Sequence, residues 1–273
     1  MSAPSDSPLA PRRVAQHLRP RRRGRWRLTG GGVTGSTNDD AKELGRAGDL
    51  GGVAVLATEQ TAGRGRFDRT WQSPGGGVYL SALVRPELDP AAAGVAALTA
   101  GLGVVTALSW LDAALAGSLS LKWPNDVLAH GGKLAGVLVE SSVNAGRLEW
   151  LVIGIGINVL REPGTAPDGR TFISDLVDPG SLALEPARVA AAVLDVLKED
   201  LALLTTPGEG FVAMLPEYQA LSADVGRAVV VRDRAGEIVA EGLITGFDAE
   251  GALLLSTASG PQRVTAGEVT LRG

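Results

Sequence analysis

No cysteine occurs in the 273 residues, which excludes disulfides, thiolate zinc sites, iron–sulfur clusters and cysteine nucleophiles together. Only two histidines are present, His17 and His130, so neither a multi-histidine metal site nor a Ser-His-Asp triad is expected. No apolar run approaches the roughly 18 residues of a membrane span. The N-terminus also lacks the apolar segment of a secretory signal, its main feature being Arg-Pro-Arg-Arg-Arg-Gly-Arg at 19–25. A cytoplasmic protein with no membrane partner is therefore expected. Lysine is scarce too: Lys42, Lys122, Lys133 and Lys198 stand against 22 arginines, and two of the four fall within one 12-residue segment.

What is present has the balance of a folded globular chain, with 45% hydrophobic and 21% charged residues. The length accommodates one large domain or a large and a small one. The net charge of −4 conceals an asymmetry. Residues 1–30 hold eight arginines and one aspartate, a net of +7, whereas 31–273 hold 18 basic and 29 acidic residues, a net of −11. The segment 1–30, rich in Pro, Arg and Ser without a sustained period, reads as a basic flexible tail. It offers too little apolar pattern for a helix-turn-helix, so sequence-specific DNA binding is not expected.

From residue 31 the pattern becomes mixed α and β. Thr37 followed by Asp40 has the form of a helix N-cap signature ahead of Ala41–Ala47. Gly52–Glu59, Val78–Arg85, Leu119–Lys122, Gly136–Ser141 and Leu148–Ile157 read as strands. Ala91–Leu115, Arg188–Leu204 and Gly210–Leu221 read as helices. This order predicts a partly antiparallel sheet packed by helices. After Ser222 come short strands at Ala228–Arg232, Glu237–Phe247, Ala252–Ser256, Gln262–Thr265 and Glu268–Leu271, separated by turn signals, which predict a small β-barrel. The expected organisation is a tail 1–30, a catalytic domain 31–221 and a C-terminal domain 222–273.

Three segments carry chemistry. In Glu59–Trp71, glycines interleave with Arg64, Arg66 and Arg69 and lead to Trp71. Glycine permits close backbone approach, arginine supplies a planar fork for phosphate or carboxylate, and an indole offers a stacking face. That composition fits a nucleotide, and equally a solvated loop or loose RNA contact. Lys122-Trp123-Pro124-Asn125-Asp126 precedes Lys133-Leu134-Ala135-Gly136, and a hairpin through His130-Gly131-Gly132 would bring both lysines to one end of paired strands, suited to a polyphosphate. Gly154-Ile155-Gly156-Ile157-Asn158-Val159 lacks the third glycine of a dinucleotide fingerprint, and no Walker P-loop occurs, so any ATP is held another way.

Taken together, Gly35-Ser36-Thr37-Asn38, Gln60-Thr61-Ala62-Gly63-Arg64-Gly65-Arg66, Lys122-Trp123-Pro124-Asn125-Asp126, Lys133-Leu134-Ala135-Gly136 and Gly154-Ile155-Gly156-Ile157-Asn158 resemble the ordered motifs of biotin protein ligases, over nearly all of 31–273. The resemblance implies an α/β (α+β) fold: a catalytic domain with a mixed sheet like that of class II aminoacyl-tRNA synthetases, plus an SH3-like C-terminal barrel. It implies that biotin and MgATP give biotinyl-5′-AMP, whose acyl group then passes to a lysine of a biotin carboxyl carrier domain. The 35 residues before Ser36 leave no room for the winged helix of some bacterial members, so a monofunctional form is expected. By the same resemblance Ser36, Thr37, Asn38, Gln60, Gly63, Arg64, Lys133 and Gly136 line the biotin site. Arg64, Arg66, Arg69, Trp71, Lys122, Asn125 and Asn158 serve the adenylate, Asp126 is a Mg2+ contact, and Lys133 with Arg64 carries the chemistry. Asp68 departs from the glycine common at its place. The alternatives are a lipoate or octanoate transferase and a non-catalytic RNA-binding or scaffold protein.

Overall fold

The computed structural model describes residues 6–19, 26–162, 169–206 and 209–271. In chain order the elements are α1 (Pro11–His17), β1 (Arg27–Thr34), α2 (Thr37–Arg46), β2 (Val53–Gln60), β3 (Val78–Val84), α3 (Val95–Leu111) and α4 (Ala113–Ala116). Next come β4 (Leu119–Lys122), β5 (Asp126–Ala129), β6 (Gly132–Asn144), β7 (Arg147–Ile157), α5 (Pro186–Leu204) and α6 (Leu215–Leu221). β8 (Ala228–Arg232), β9 (Ile238–Phe247), β10 (Leu253–Thr257), β11 (Gly260–Val264) and β12 (Glu268–Leu271) complete the chain.

The first seven strands form one mixed sheet in the order β1-β2-β3-β7-β6-β5-β4, in which only β1 and β2 run parallel. Its strands carry apolar side chains toward both faces, as a sheet covered on both sides requires. Leu56, Leu80, Ile153 and Ile155 belong to the large core shared with α3 and α5. Val53, Val55, Leu83, Trp150 and Val152 join Ala41 of α2 in a second cluster on the opposite face. α2 covers only part of that face. Beyond it the register pairs Gly136 with Gly156, Leu138 with Gly154 and Ser81 with Gly154, so the uncovered part carries mostly small side chains. The Gly-Ile-Gly-Ile run is thus the C-terminal end of β7, with its isoleucines in the core and its glycines on the open face.

The last five strands form a separate antiparallel sheet in the order β11-β10-β9-β8-β12, closed over Val229, Val231, Ile244, Leu253, Leu255 and Val269. It meets the larger unit at defined points. Trp123 Nε1 donates to the Gly251 carbonyl at 3.0 Å, and the Ala223 amide donates to Leu121 at 2.8 Å.

Several sequence expectations need correction. The part of the N-terminal segment at 6–19 is not a flexible tail: α1 packs on α5, and Leu9 and Val14 are fully buried, as is most of Trp26. Val14 on this seven-residue helix and Leu9 just ahead of it suffice to dock it. Arg21, Arg22, Arg23 and Arg25 lie outside the described residues. The Gly-rich stretch before Ser36, to which the sequence pattern assigns no element, is β1, where Gly30 and Gly31 adopt φ of 79° and 97° at a bulge against β2. The cap of α2 is Ser36, one residue earlier than expected, because Thr37 is drawn into contact with Gln60 and Asp40 accepts from Thr34 Oγ1 at 2.7 Å. The helix expected over Ala91–Leu115 breaks at Asp112, whose carboxylate caps α4 by accepting from Ala114 N. The one expected over Gly210–Leu221 is a 3-10 turn at Gly210–Ala213 followed by α6.

Candidate functional site

On the part of the sheet that α2 leaves open, glycine at 136, 154 and 156 keeps the floor flat. A Cβ at Gly156 would lie 2.5 Å from Trp71 Nε1, one at Gly136 would lie 3.0 Å from the Trp71 ring, and one at Gly154 would lie 2.0 Å from Asn38 Oδ1. Trp71 therefore rests on the Gly136–Gly156 pair, and only glycine permits that approach. Its Nε1 is buried and has no hydrogen-bond partner among the described residues. Above the ring, Lys133 Nζ sits 5.1 Å from the centroid, within cation–π range. A cavity of about 160 Å³ opens here, lined by α2, the loop 64–71, the β4–β5 turn, β6, β7 and the start of β12.

One end of the cavity is neutral and hydrogen-bonding. Gln60 Oε1 accepts from the Thr37 amide at 2.9 Å and from its hydroxyl at 3.1 Å, while Gln60 Nε2 donates to Ser73 Oγ at 2.9 Å. Ser81 Oγ lies 2.7 Å from Thr37 Oγ1 and 2.6 Å from Asn38 Oδ1. Ser36, Thr37 and Asn38 are all buried, so these polar groups are held by mutual bonding in a dry environment.

The other end is cationic. Lys122, Arg66, Arg69 and Lys133 line it. Lys133 Nζ is 2.7 Å from Asp126 Oδ1, in cross-strand reach because Lys122 pairs with Asp126 in the β4–β5 ladder and β6 returns beside β5. The hairpin expected through His130-Gly131-Gly132 is thus present, with His130 and Gly131 at φ of 48° and 81°. Asn125 donates to the Val137 carbonyl at 2.9 Å, tying the turn to β6. Arg66 Nη1 donates to the Gly267 carbonyl at 3.2 Å; burial lowers its pKa, against the opposing pull of Asp126 and Glu268.

Between the two ends lies a quartet that the sequence reading missed. Asp39 Oδ1 is 2.7 Å from Arg64 Nη2 and 2.9 Å from Lys42 Nζ. Glu140 reaches Lys42 at 2.7 Å, Arg64 at 3.1 Å and Asn38 Nδ2 at 2.8 Å. Burial alone would raise the pKa of both carboxyls. For Glu140, hydrogen bonds from Lys42 and Asn38 and the charges of Arg64 and Lys42 outweigh that and hold it below the usual carboxylate range. Asp39 is held down likewise by Lys42 and Arg64. Arg64, which lines the cavity, is therefore already paired with two carboxylates.

Of the sequence-selected residues, Ser36, Thr37, Asn38, Gln60, Arg64, Arg66, Arg69, Trp71, Lys122, Asn125, Asp126, Lys133 and Gly136 line the one cavity. Two do not. Gly63 lies behind it, where a Cβ would come 2.5 Å from the Trp71 carbonyl, so it fixes the path of the loop. Asn158 is buried, and its amide donates to the Lys133 carbonyl at 3.1 Å, so it anchors the strand end that carries Lys133. Leu138, Glu140, Ser73, Ser81, Trp123, Glu268 and Val269 were missed. Glu140 was within reach, two residues beyond Leu138 on the face that Gly136 begins, whereas nothing local marks Glu268, which a second sheet brings in.

Residues 31–158 match the biotin/lipoate A/B protein ligase family and residues 225–272 match the biotin protein ligase C-terminal domain. The chain is 34% identical over 242 residues to a biotin–[acetyl-CoA-carboxylase] ligase of Paracoccus denitrificans, covering 88% of this chain and 98% of that one. It is 35% identical over 239 residues to the corresponding ligase of Mycobacterium tuberculosis, covering 86% and 85%. Among solved structures, a biotin protein ligase of Aquifex aeolicus in complex with biotin and ATP superposes with a TM-score of 0.70 at 27% identity, covering 91% of this chain and 98% of that one.

Proposed function

The chain belongs to the biotin protein ligases, and from that premise we propose that it activates biotin with ATP in the cavity described and passes the acyl group to a lysine of a biotin carboxyl carrier domain. The observation that carries this is the junction within one cavity of a buried hydrogen-bonding end at Ser36, Thr37, Asn38 and Gln60 with a cationic end at Lys122, Lys133 and Arg66. Such a cavity suits a carboxylic acid with a polar head group, its carboxylate turned toward a nucleotide phosphate. The unit up to residue 221 carries the chemistry, and 222–273 supplies part of the wall.

In the first step a biotin carboxylate oxygen attacks the α-phosphorus, the bond to the bridging oxygen breaks, and pyrophosphate leaves with the electron pair. Two anions must approach one another, so the positive charge of Lys133 lowers the barrier where charge accumulates on the phosphorus oxygens. Asn158 fixes the Lys133 backbone and Asp126 its ammonium, which leaves the lysine little reorganisation to undergo. In the second step the carrier amine attacks the acyl carbon, the carbon–oxygen bond to AMP breaks, and the amine proton is lost. The mixed anhydride is already activated, so positioning supplies much of that rate.

Mg2+ belongs to the substrate in this scheme. Among the described residues no cluster of three or more His, Cys, Asp or Glu is arranged to hold a metal. Asp126 presents a single carboxylate to the cationic end, which suits an ion that arrives on the triphosphate and keeps its waters better than it suits a protein cage. A cytoplasmic setting, where ATP and carrier domains meet, is part of the proposal; among the described residues no helix is long and apolar enough to cross a membrane.

The test is exchange of labelled pyrophosphate into ATP by the purified chain, with biotin, lipoate or octanoate as the acid. Exchange with biotin alone supports the reading. Exchange with lipoate or octanoate and none with biotin would transfer the assignment to the other branch of the family, and exchange with no acid would remove it.

A further inference from the structure

The loop that closes the cationic end is strained and tied to the second sheet. Phe67 and Asp68 adopt φ of 56° and 58° in succession, a conformation that side chains other than glycine occupy only when their surroundings impose it. The loop's own backbone bonds, the Arg69 amide to the Arg66 carbonyl at 3.2 Å and the Gly65 amide to the Arg69 carbonyl at 2.7 Å, close it into that tight turn, and the C-terminal sheet holds the turn from outside. Asp68 pairs with Arg234, Arg69 Nη1 donates to Glu268 Oε1 at 2.7 Å with a second bond between Arg69 Nη2 and Glu268 Oε2, and Arg66 donates to the Gly267 carbonyl. Arg234 stands at the tip of the β8–β9 turn, and that turn is rigid. Asp233 Oδ1 accepts from the Ala235 and Glu237 amides, both at 2.9 Å, and Arg232 donates to the Gly236 carbonyl at 2.9 Å. Asp68 is also the residue at which this chain departs from the glycine common in the motif it resembles, so a charge replaces conformational freedom at the point where the loop must bend.

We infer that Asp68 and Arg234 form a latch between the two sheets, which holds Arg66 and Arg69 against the nucleotide end of the cavity and makes Arg234 a positioning residue for ATP. The inference rests on the reading of the cavity as an adenylation site. Asp68 lies in the turn between Arg66 and Arg69, and among the described residues no bond of Asp68, Arg66 or Arg69 reaches Ser36, Thr37, Asn38 or Gln60, so the latch acts on ATP and leaves the acid alone. Both side chains are largely exposed, Arg234 at 71% and Asp68 at 81%. Such a pair contributes a modest amount, up to roughly fivefold in an equilibrium constant, and loses it as salt rises.

The experiment is a double-mutant cycle with Asp68→Asn, Arg234→Gln and the double variant; Asn tolerates positive φ, so the backbone is not itself the perturbation. In ligand-free protein, hydrogen exchange of the amides from 65 to 70 should quicken about three- to fivefold in either single variant, with no further gain in the double. In steady-state adenylation the KM for ATP should rise by the same factor in all three, with the KM for biotin unchanged, and 0.5 M KCl should remove the difference from wild type. Exchange and KM for ATP that stay at wild-type values, effects that multiply in the double variant, or equal rises in the KM for both substrates would overturn the latch. If the wild-type chain fails to adenylate biotin, the functional reading falls while the exchange measurement still decides whether the latch exists.

Discussion

A methyl group at position 156 would stand 2.5 Å from Trp71 Nε1, and one at position 117 would meet nothing within 4 Å. Gly156→Ala should therefore displace Trp71 from its floor without disturbing the core on the other face of β7. Overpacking of this kind costs about 1–3 kcal/mol, so biotin affinity by calorimetry should fall about tenfold or more, while Gly117→Ala binds as wild type. Equal affinities would show that the glycine floor does not shape the site. At this scale the sequence was informative wherever a residue type is forced by chemistry. Lys122, Lys133, Asp126 and the loop arginines could be selected because few other side chains meet a phosphate. Asp39 and Lys42, which join Arg64 and Glu140 in the quartet, could not, since each looks like an ordinary surface charge until α2, the loop and β6 are brought together. That grouping also sets the Arg64 guanidinium between two carboxylates.

Elements were legible where apolar content and period agreed, and hidden where either was missing. β4, β8 and β12 coincide with the apolar runs that predicted them. β1 was hidden because Gly30, Gly31 and Gly32 remove the side chains that mark a strand, and α1 because seven residues hold too few turns to display a period. The burial of Leu9 and Val14 reverses, for residues 6–19, the expectation of a flexible tail. Two fully buried aliphatic side chains contribute about 1.5–3 kcal/mol each, a large share of a typical domain's stability. A chain beginning at residue 20 should thus unfold at clearly lower urea concentration than the full chain, and coincident transitions would contradict the docking of α1. In the packing of α3 on α5, Asp200 faces Gly103, where a Cβ would lie 2.9 Å from its Oδ2. Burial, with a smaller push from Glu217, raises the Asp200 pKa to about 7. The folded state consequently binds a proton that the unfolded state releases near pH 4, so this group's contribution is full below that pH and is lost as pH rises toward and through 7. Asp200→Asn should flatten the decline in stability between pH 5 and pH 8. A wild-type curve without that decline, or a variant that keeps it, would show that the group titrates normally.

Across the whole molecule, two sheets of different topology share one cavity, the larger giving the floor and the cations and the smaller giving Glu268 and Val269 to the wall. Sequence patterning separated the two units at the change to short strands after Ser222, but it could not foresee that the Arg-rich loop would be held between them, since contacts such as Arg69 with Glu268 join residues 199 positions apart. In the proposed reaction Lys133, fixed by Asp126 and Asn158 above the Trp71 ring, stabilises the transfer of the adenylyl group to biotin. The most direct test is quenched-flow formation of biotinyl-5′-AMP in a single turnover by the wild-type chain and by Lys133→Ala, at saturating biotin and MgATP. Loss of one preorganised transition-state donor predicts a rate lower by roughly 10²–10³, with Lys198→Ala, far from the cavity, matching wild type. A Lys133→Ala rate within about twofold of wild type, or an equal loss in Lys198→Ala, would contradict the account.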